Sequence, residues 1–238
     1  MIETISLFGK DISLFFIFWF LAMVVGLIVG LLLRKEYYLS ASKCIIYISL
    51  DLCIGLLLLI ITSKLFGTGN TAGLKFVRIV NFCWIYFLLL AYFLKDPYEN
   101  ILDLLTIKGA FFYAIAHIGC IFPGCCHGYA SDWGIYSNNA GYVCFPIQLV
   151  ECTINIMIGF ILLAMRKNKK FHGQLNPWYM IMFGATRFVT EFLRDNDKLF
   201  WGISELAIHA LVSFILGSVA IIIINQRKEK MYQNEKNQ

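Results

Sequence analysis

The stretch ISLFFIFWFLAMVVGLIVGLLL, residues 12–33, decides the fold. No charged side chain interrupts it, and about 20 apolar residues suffice for a helix to cross the hydrocarbon core of a bilayer. A secretory signal has a shorter apolar core, basic residues ahead of it and a small-residue cleavage site. Here Arg34 and Lys35 follow the run. The segment reads as a retained spanning helix.

Working outward, similar runs occupy 44–66, 76–94, 109–123, 146–165, 176–193 and 200–224. The expected architecture is an all-α integral membrane protein of about seven transmembrane helices. The fourth run is short and holds Gly119, Pro123 and Gly124. It is expected to stop early or to continue into a re-entrant turn, which is tolerated where protein or a cavity surrounds it. Composition agrees: 59% of the chain is hydrophobic and 15% charged, with a mean hydropathy of +0.72. A soluble domain is about a quarter charged. Residues 1–225 are read as a single polytopic membrane domain, and 226–238 as a polar cytoplasmic tail without order.

The net charge of +5 does not point to nucleic acid, because the basic residues lie in short clusters between apolar runs. That is the pattern of membrane topology. With the C-terminus inside, the inner segments hold Arg34, Lys35, Lys43, Lys95 and Lys108, the RKNKK loop at 166–170 and the basic tail. The loop from Gly124 to Phe145 holds neither Lys nor Arg. It is expected outside, with the N-terminus.

Charged residues inside spans cost about 2.5–3.5 kcal/mol each on insertion scales and call for a reason. Arg187 and Glu191 are four apart and share a helix face. Arg194 follows on the same face. Gln148, Glu151 and Asn155 share a face of the fifth run, Glu205 and His209 a face of the last. Asp51 stands alone in the second. Asp51, Glu205 and His209 read as helix glue. Arg187 reads as functional, because a buried guanidinium offers a planar fork suited to phosphate.

The densest cluster is AHIGCIFPGCCHGYASDWG. It brings His117, Cys120, Gly124, Cys125, Cys126, His127 and Gly128 to one end of the fourth run. Cys and His this close invite a metal reading, but adjacent cysteines rarely both reach one tetrahedral ion and no CxxC is present. No metal and no cofactor are expected. A disulfide from Cys144 to Cys125 or Cys126 is compatible with an oxidising outer face. Cys44, Cys53 and Cys83, within apolar runs, read as packing residues. Packing also remains a reading for the other thiols, Cys152 included.

The order of these motifs resembles the prolipoprotein diacylglyceryl transferase family. FPIQLVE is similar to the family's HPSQLYE, and FGATRFVTEFLRDND to its FRFxxEFxRxPD. AHIGCIFPGCCHG occupies the place of the signature GRxxNFxNxExxG, and the chain resembles a GCxxxGCCxG branch. Gly128, Gln148, Glu151, Arg187, Glu191 and Arg194 match. His117 replaces the signature arginine, Cys120 and Pro123 its asparagines, and Cys125 its glutamate. GNTAGLK stands near the family's HGG segment, whose histidine has no counterpart here.

The resemblance implies a transferase of the bacterial plasma membrane that moves diacylglycerol from phosphatidylglycerol to a lipoprotein cysteine. Its partners would be a phospholipid donor and a secreted cysteine-containing peptide or lipoprotein precursor. Expected catalytic residues are His117, His127, Cys125, Cys126 and Arg187. Expected substrate-binding residues are Cys120, Gly124, Gly128, Gln148, Glu151, Arg187, Glu191 and Arg194. Two other readings stand beside it: a paralogue with its own cysteine-based acyl or alkyl transfer, and a non-catalytic lipid-binding membrane protein.

Overall fold

The structure, a computed structural model, describes residues 4–7, 10–66, 98–195, 198 and 201–236. The chain is mostly helical. A short hairpin, β1 (Thr4–Leu7) and β2 (Lys10–Ser13), leads into α1 (Leu14–Leu33), and α2 spans Ala41–Phe66. The run at 76–94 and GNTAGLK lie outside the described residues. Then come α3 (Tyr98–Gly119), a second hairpin of β3 (Ala130–Ser137) and β4 (Tyr142–Cys144), α4 (Ile147–Met165), α5 (Leu175–Glu191) and α6 (Glu205–Lys236). The two hairpins depart from the all-α expectation. Among the described residues, four helices are long and apolar enough to cross a membrane: Leu14–Leu33, Glu99–Gly119, Ile147–Met165 and Glu205–Met231.

Helix α3 is the hub. It packs against α1 and α4, and it reaches α5 and α2. It is not the short segment expected at 109–123, because protein shields its polar first half. Lys108, only 3% exposed, forms an ion pair with Asp51 of α2. Asp51 is therefore not alone, and Lys108 belongs to a helix rather than to an inner loop. Asp103 accepts hydrogen bonds from the backbone N–H of Gly173 (2.7 Å) and of Leu175 (3.0 Å). It thereby satisfies orphan donors at the start of α5. Asn176 of α5 donates to Thr106 at 3.2 Å.

The tail expected to lack order continues α6 as helix to Lys236. Lys228 donates to the carbonyls of Lys170 (3.3 Å) and His172 (2.9 Å), which ties the extension to the loop between α4 and α5. Gln174 and Asn225 add a side-chain hydrogen bond of 3.0 Å.

Among the described residues, α5 and α6 form the most extensive helix pair, and glycine sets their approach. A Cβ on Gly184 would lie 2.7 Å from the carbonyl oxygen of Ala210 and 2.7 Å from the backbone nitrogen of Phe214. Small residues let helix backbones come this close in a membrane, where lipid supplies no hydrophobic drive for association. We expect Gly184→Leu to separate the pair and cost at least the ~1–3 kcal/mol typical of overpacking. Gly55→Leu, at a site with nothing within 4 Å, is the control. Size-exclusion profiles of detergent-solubilised protein after graded heating measure both. A Gly184→Leu variant as heat-resistant as Gly55→Leu would show that the crossing is not tight.

Candidate functional site

Glu151, on the second turn of α4, is the centre of a buried ionic cluster. Its Oε1 pairs with Nη1 of Arg187 and accepts from Thr190 Oγ1 (2.8 Å) and Arg194 Nε (3.2 Å). Its Oε2 accepts from Arg194 Nη2 at 2.7 Å, lies 2.9 Å from His117 Nε2, and accepts from the Tyr113 hydroxyl at 3.2 Å. Helices α3, α4 and α5 thus meet on one carboxylate. The i, i+4 relation of Arg187 and Glu191 produces the expected ion pair, Nη2 to Oε2 at 2.9 Å. Ser204, just before α6, donates to the other oxygen of Glu191 at 2.8 Å. Two guanidinium groups therefore face two carboxylates, and every helix from α3 to α5 supplies a charge or a hydroxyl.

His117 stacks on Tyr113, one turn earlier on α3, with ring centroids 5.1 Å apart. Its Nε2 lies between a donor, Arg194 Nη2 at 3.1 Å, and an acceptor, Glu151 Oε2 at 2.9 Å. A neutral imidazole nitrogen can accept from the arginine, and a protonated one can donate to the carboxylate. A crevice too tight to admit a water molecule borders the cluster, lined by Tyr113, Asn155, Thr186, Arg187 and Thr190 among others. Asn155 anchors this face by donating to the Glu151 carbonyl at 2.9 Å.

Beyond α3 the chain turns twice through left-handed backbone, at Gly124 (φ 70°) and Cys126 (φ 60°). Adjacent side chains on an extended segment point apart. Here the turn brings both Cys125 and Cys126 to Cys120, and the three Sγ atoms lie within 4.8 Å of one another. At this turn, two adjacent cysteines do approach a third closely enough to share one ion. Cys120, Cys125, Cys126 and Cys144 are free thiols, so the disulfide considered for Cys144 does not form. Cys144 lies on β4 opposite Ala130 and Ile135, directed at the carbonyl of Tyr142 (3.6 Å). Hydrogen bonds from the Cys120 and Cys125 thiols, with the charges of Arg194 and His117 nearby, hold the Cys126 thiol well below its ordinary range.

The turn is coupled to the ionic cluster. Arg194 Nη1 donates to the Cys126 carbonyl at 3.0 Å, and Gln148 donates to the Cys125 carbonyl at 2.9 Å. Gly128 pairs with Arg194 in a β-bridge. A Cβ there would stand 2.6 Å from the Phe145 carbonyl oxygen. A Cβ on Gly124 would stand 2.6 Å from the Ser137 hydroxyl. Both glycines shape the backbone that carries the thiols. His127 stands apart from Glu151, with Nδ1 3.2 Å from the Gly128 carbonyl.

The structure thus joins His117, Glu151, Arg187, Glu191 and Arg194 directly, and ties Gln148 and the cysteines to them through backbone carbonyls. Tyr113, Thr190 and Ser204 were not singled out in the sequence. Tyr113 and Thr190 had a usable signal: each lies three or four residues from an ionisable group on its helix. Ser204 had none.

The family described as prolipoprotein diacylglyceryl transferase matches residues 14–225. The chain belongs to that family. A phosphatidylglycerol–prolipoprotein diacylglyceryl transferase of Campylobacter lari is 35% identical over 142 residues, covering 55% of this chain and 52% of the relative. One from Campylobacter hominis is 35% identical over 146 residues, covering 57% and 52%. A second such transferase of Clostridium perfringens is 28% identical over 147 residues, covering 58% and 57%. The chain therefore spans about half the length of the curated relatives it matches.

The geometry separates the two carboxylates. Glu151 neutralises two arginines and faces a histidine, whereas Glu191 holds chiefly Arg187. Removing one partner of a buried pair costs about 3–5 kcal/mol, because the remaining charge is left uncompensated. We expect Glu151→Gln to lower thermal stability in detergent by an amount of that order, and Glu191→Gln to lower it less. Heating followed by size-exclusion compares them. Equal losses would contradict the central place of Glu151.

Proposed function

We propose that the chain transfers the diacylglyceryl group of phosphatidylglycerol to the cysteine thiol of a lipoprotein precursor. The observation that carries this reading is the buried cluster of Arg187, Glu151, Arg194 and His117, in which two guanidinium groups and an imidazole converge on one carboxylate. Family membership and the names of the relatives support it. The phospholipid enters sideways between helices. Arg187, oriented by Glu191 and Glu151, holds the phosphodiester, and Arg194 adds a second positive charge. His117 takes the acceptor's thiol proton, and the imidazolium is then stabilised by Glu151. The sulfur lone pair forms a bond to the glyceryl carbon as the carbon–oxygen bond to phosphate breaks. The electron pair stays on the phosphate oxygen, and glycerol phosphate departs. Fixed cations in a dry site stabilise that developing charge.

The proposed setting is the bacterial plasma membrane, crossed about seven times, with the N-terminus outside and the C-terminus in the cytoplasm. The distribution of Lys and Arg supports that orientation. Exposed aromatic residues of the β3–β4 hairpin, Trp133 and Tyr136 among them, suit a membrane–water interface. On a background in which the exposed native thiols are serine, Asp132→Cys should react with an impermeant maleimide in whole cells. Lys169→Cys should react only after lysis. The reverse pattern would invert the orientation.

The chemistry is tested by complementation. Expressed in cells depleted of their own transferase, the chain should place lipid on a reporter lipoprotein. Arg187→Lys retains the charge but loses the planar fork, and at a bidentate site that change is not conservative. We expect it to impair transfer nearly as much as Arg187→Ala, at equal accumulation in the membrane. Glu191→Gln should be milder, since the amide oxygen still accepts a hydrogen bond. Wild-type transfer by Arg187→Ala would reduce this arginine to helix glue.

A further inference from the structure

Cys120, Cys125 and Cys126 are more than the ionic site requires. Packing alone does not explain three thiols on one turn, one of them in left-handed backbone. A residue other than glycine held in that region costs on the order of 1–3 kcal/mol and persists where its surroundings enforce it. Here Gly124 turns the chain, Gln148 holds the Cys125 carbonyl and Arg194 the Cys126 carbonyl. A glycine turn and two polar anchors thus maintain the convergence of the sulfurs.

Thiolates bound to zinc lie about 2.3 Å from the metal, which places them about 3.8 Å apart in a tetrahedron. The three sulfurs, already within 4.8 Å of one another, need only a small contraction. Catalytic zinc sites use three protein ligands and keep the fourth position for water or substrate. Cys120 and Cys125 are half-buried, and Cys126 lies on an exposed turn.

We propose that Cys120, Cys125 and Cys126 form a three-thiolate zinc site whose fourth position receives the acceptor cysteine. The role of the acceptor rests on the transferase reading above; the metal site does not. A thiol coordinated to zinc is deprotonated outright. Its S–H proton passes to His117 and the sulfur remains bound as a nucleophilic thiolate. That sulfur then forms the bond to the glyceryl carbon, the carbon–oxygen bond breaks towards phosphate, and the thioether product leaves the metal. No oxidant or reductant is needed. Zinc would supply at this turn an activation that His117 alone provides weakly.

The test uses the full chain in detergent, stripped with a chelator and reloaded with zinc or cobalt(II). Elemental analysis should find one zinc per chain. The cobalt form should show a thiolate-to-metal charge-transfer band. Each of Cys120→Ser, Cys125→Ser and Cys126→Ser should weaken binding by more than the roughly 10–100-fold typical of an outer-shell change. A short cysteine-containing peptide should alter the cobalt d–d bands, and its alanine counterpart should not. Lack of stoichiometric binding, or binding unchanged in the triple serine variant, overturns the site. Retention of copper(I) without zinc overturns the open fourth position. These readouts involve no turnover, so they separate from the transferase reading. Zinc and peptide binding without lipid transfer would keep the site and remove the reaction. Transfer that survives complete removal of zinc would keep the reaction and overturn the metal's part in it.

Discussion

A carboxylate buried between membrane helices must find positive charge or lose its own, because neither lipid nor apolar side chains can solvate it. Glu151 finds it from two directions. Arg187 comes from within α5 and Arg194 from just beyond that helix, and His117 closes the group from α3. Each charge alone would oppose insertion. Together they form a cluster whose members are compensated and hydrogen-bonded, the condition under which buried ions are tolerated. The relative position of three helices follows, since shifting any of them strands a charge.

The same arginine that completes this cluster reaches outward to the irregular segment after α3. Arg194 binds the Cys126 carbonyl and pairs with Gly128 through its backbone. The Tyr129 N–H donates to the Leu193 carbonyl at 3.1 Å, and the Phe145 N–H to the Tyr129 carbonyl at 2.9 Å. The β3–β4 hairpin is therefore fastened to the end of α5 as well as to α3 and α4. Irregular backbone near a membrane is stable where protein satisfies its polar groups, and this segment meets that condition. The thiol-bearing turn and the ionic cluster consequently form one unit. A change in the position of Arg194 would be felt by both.

At the other end of α3 a second polar group serves the fold alone. Asp103 caps the start of α5, Asn100 hydrogen-bonds His172 at 2.6 Å, and Lys108 pairs with Asp51. These contacts fix α3 at the end away from His117. A rigid support of this kind keeps the buried ionic cluster in register.

Apolar run length and charge position made much of this legible in advance. Helices α1, α2, α4 and α5 lie close to the runs expected at 12–33, 44–66, 146–165 and 176–193, because about 20 apolar residues specify a helix wherever backbone groups must be satisfied within the segment. The pairing of Arg187 with Glu191 was readable from helical spacing. Other features depend on contacts remote in sequence. Helix α3 starts early because Asp51 and the start of α5 accommodate its polar residues. The tail is helical because Lys228 meets the loop before α5. Glu151 was visible as a polar residue on a helix face, but its bonds to residues 34, 36, 39 and 43 positions away exist only once three helices pack. The convergence of the adjacent cysteines is illegible for the same reason: sequence spacing gives the number of bonds between two thiols, while the left-handed turn after α3, held by Gln148 and Arg194, decides which way they point.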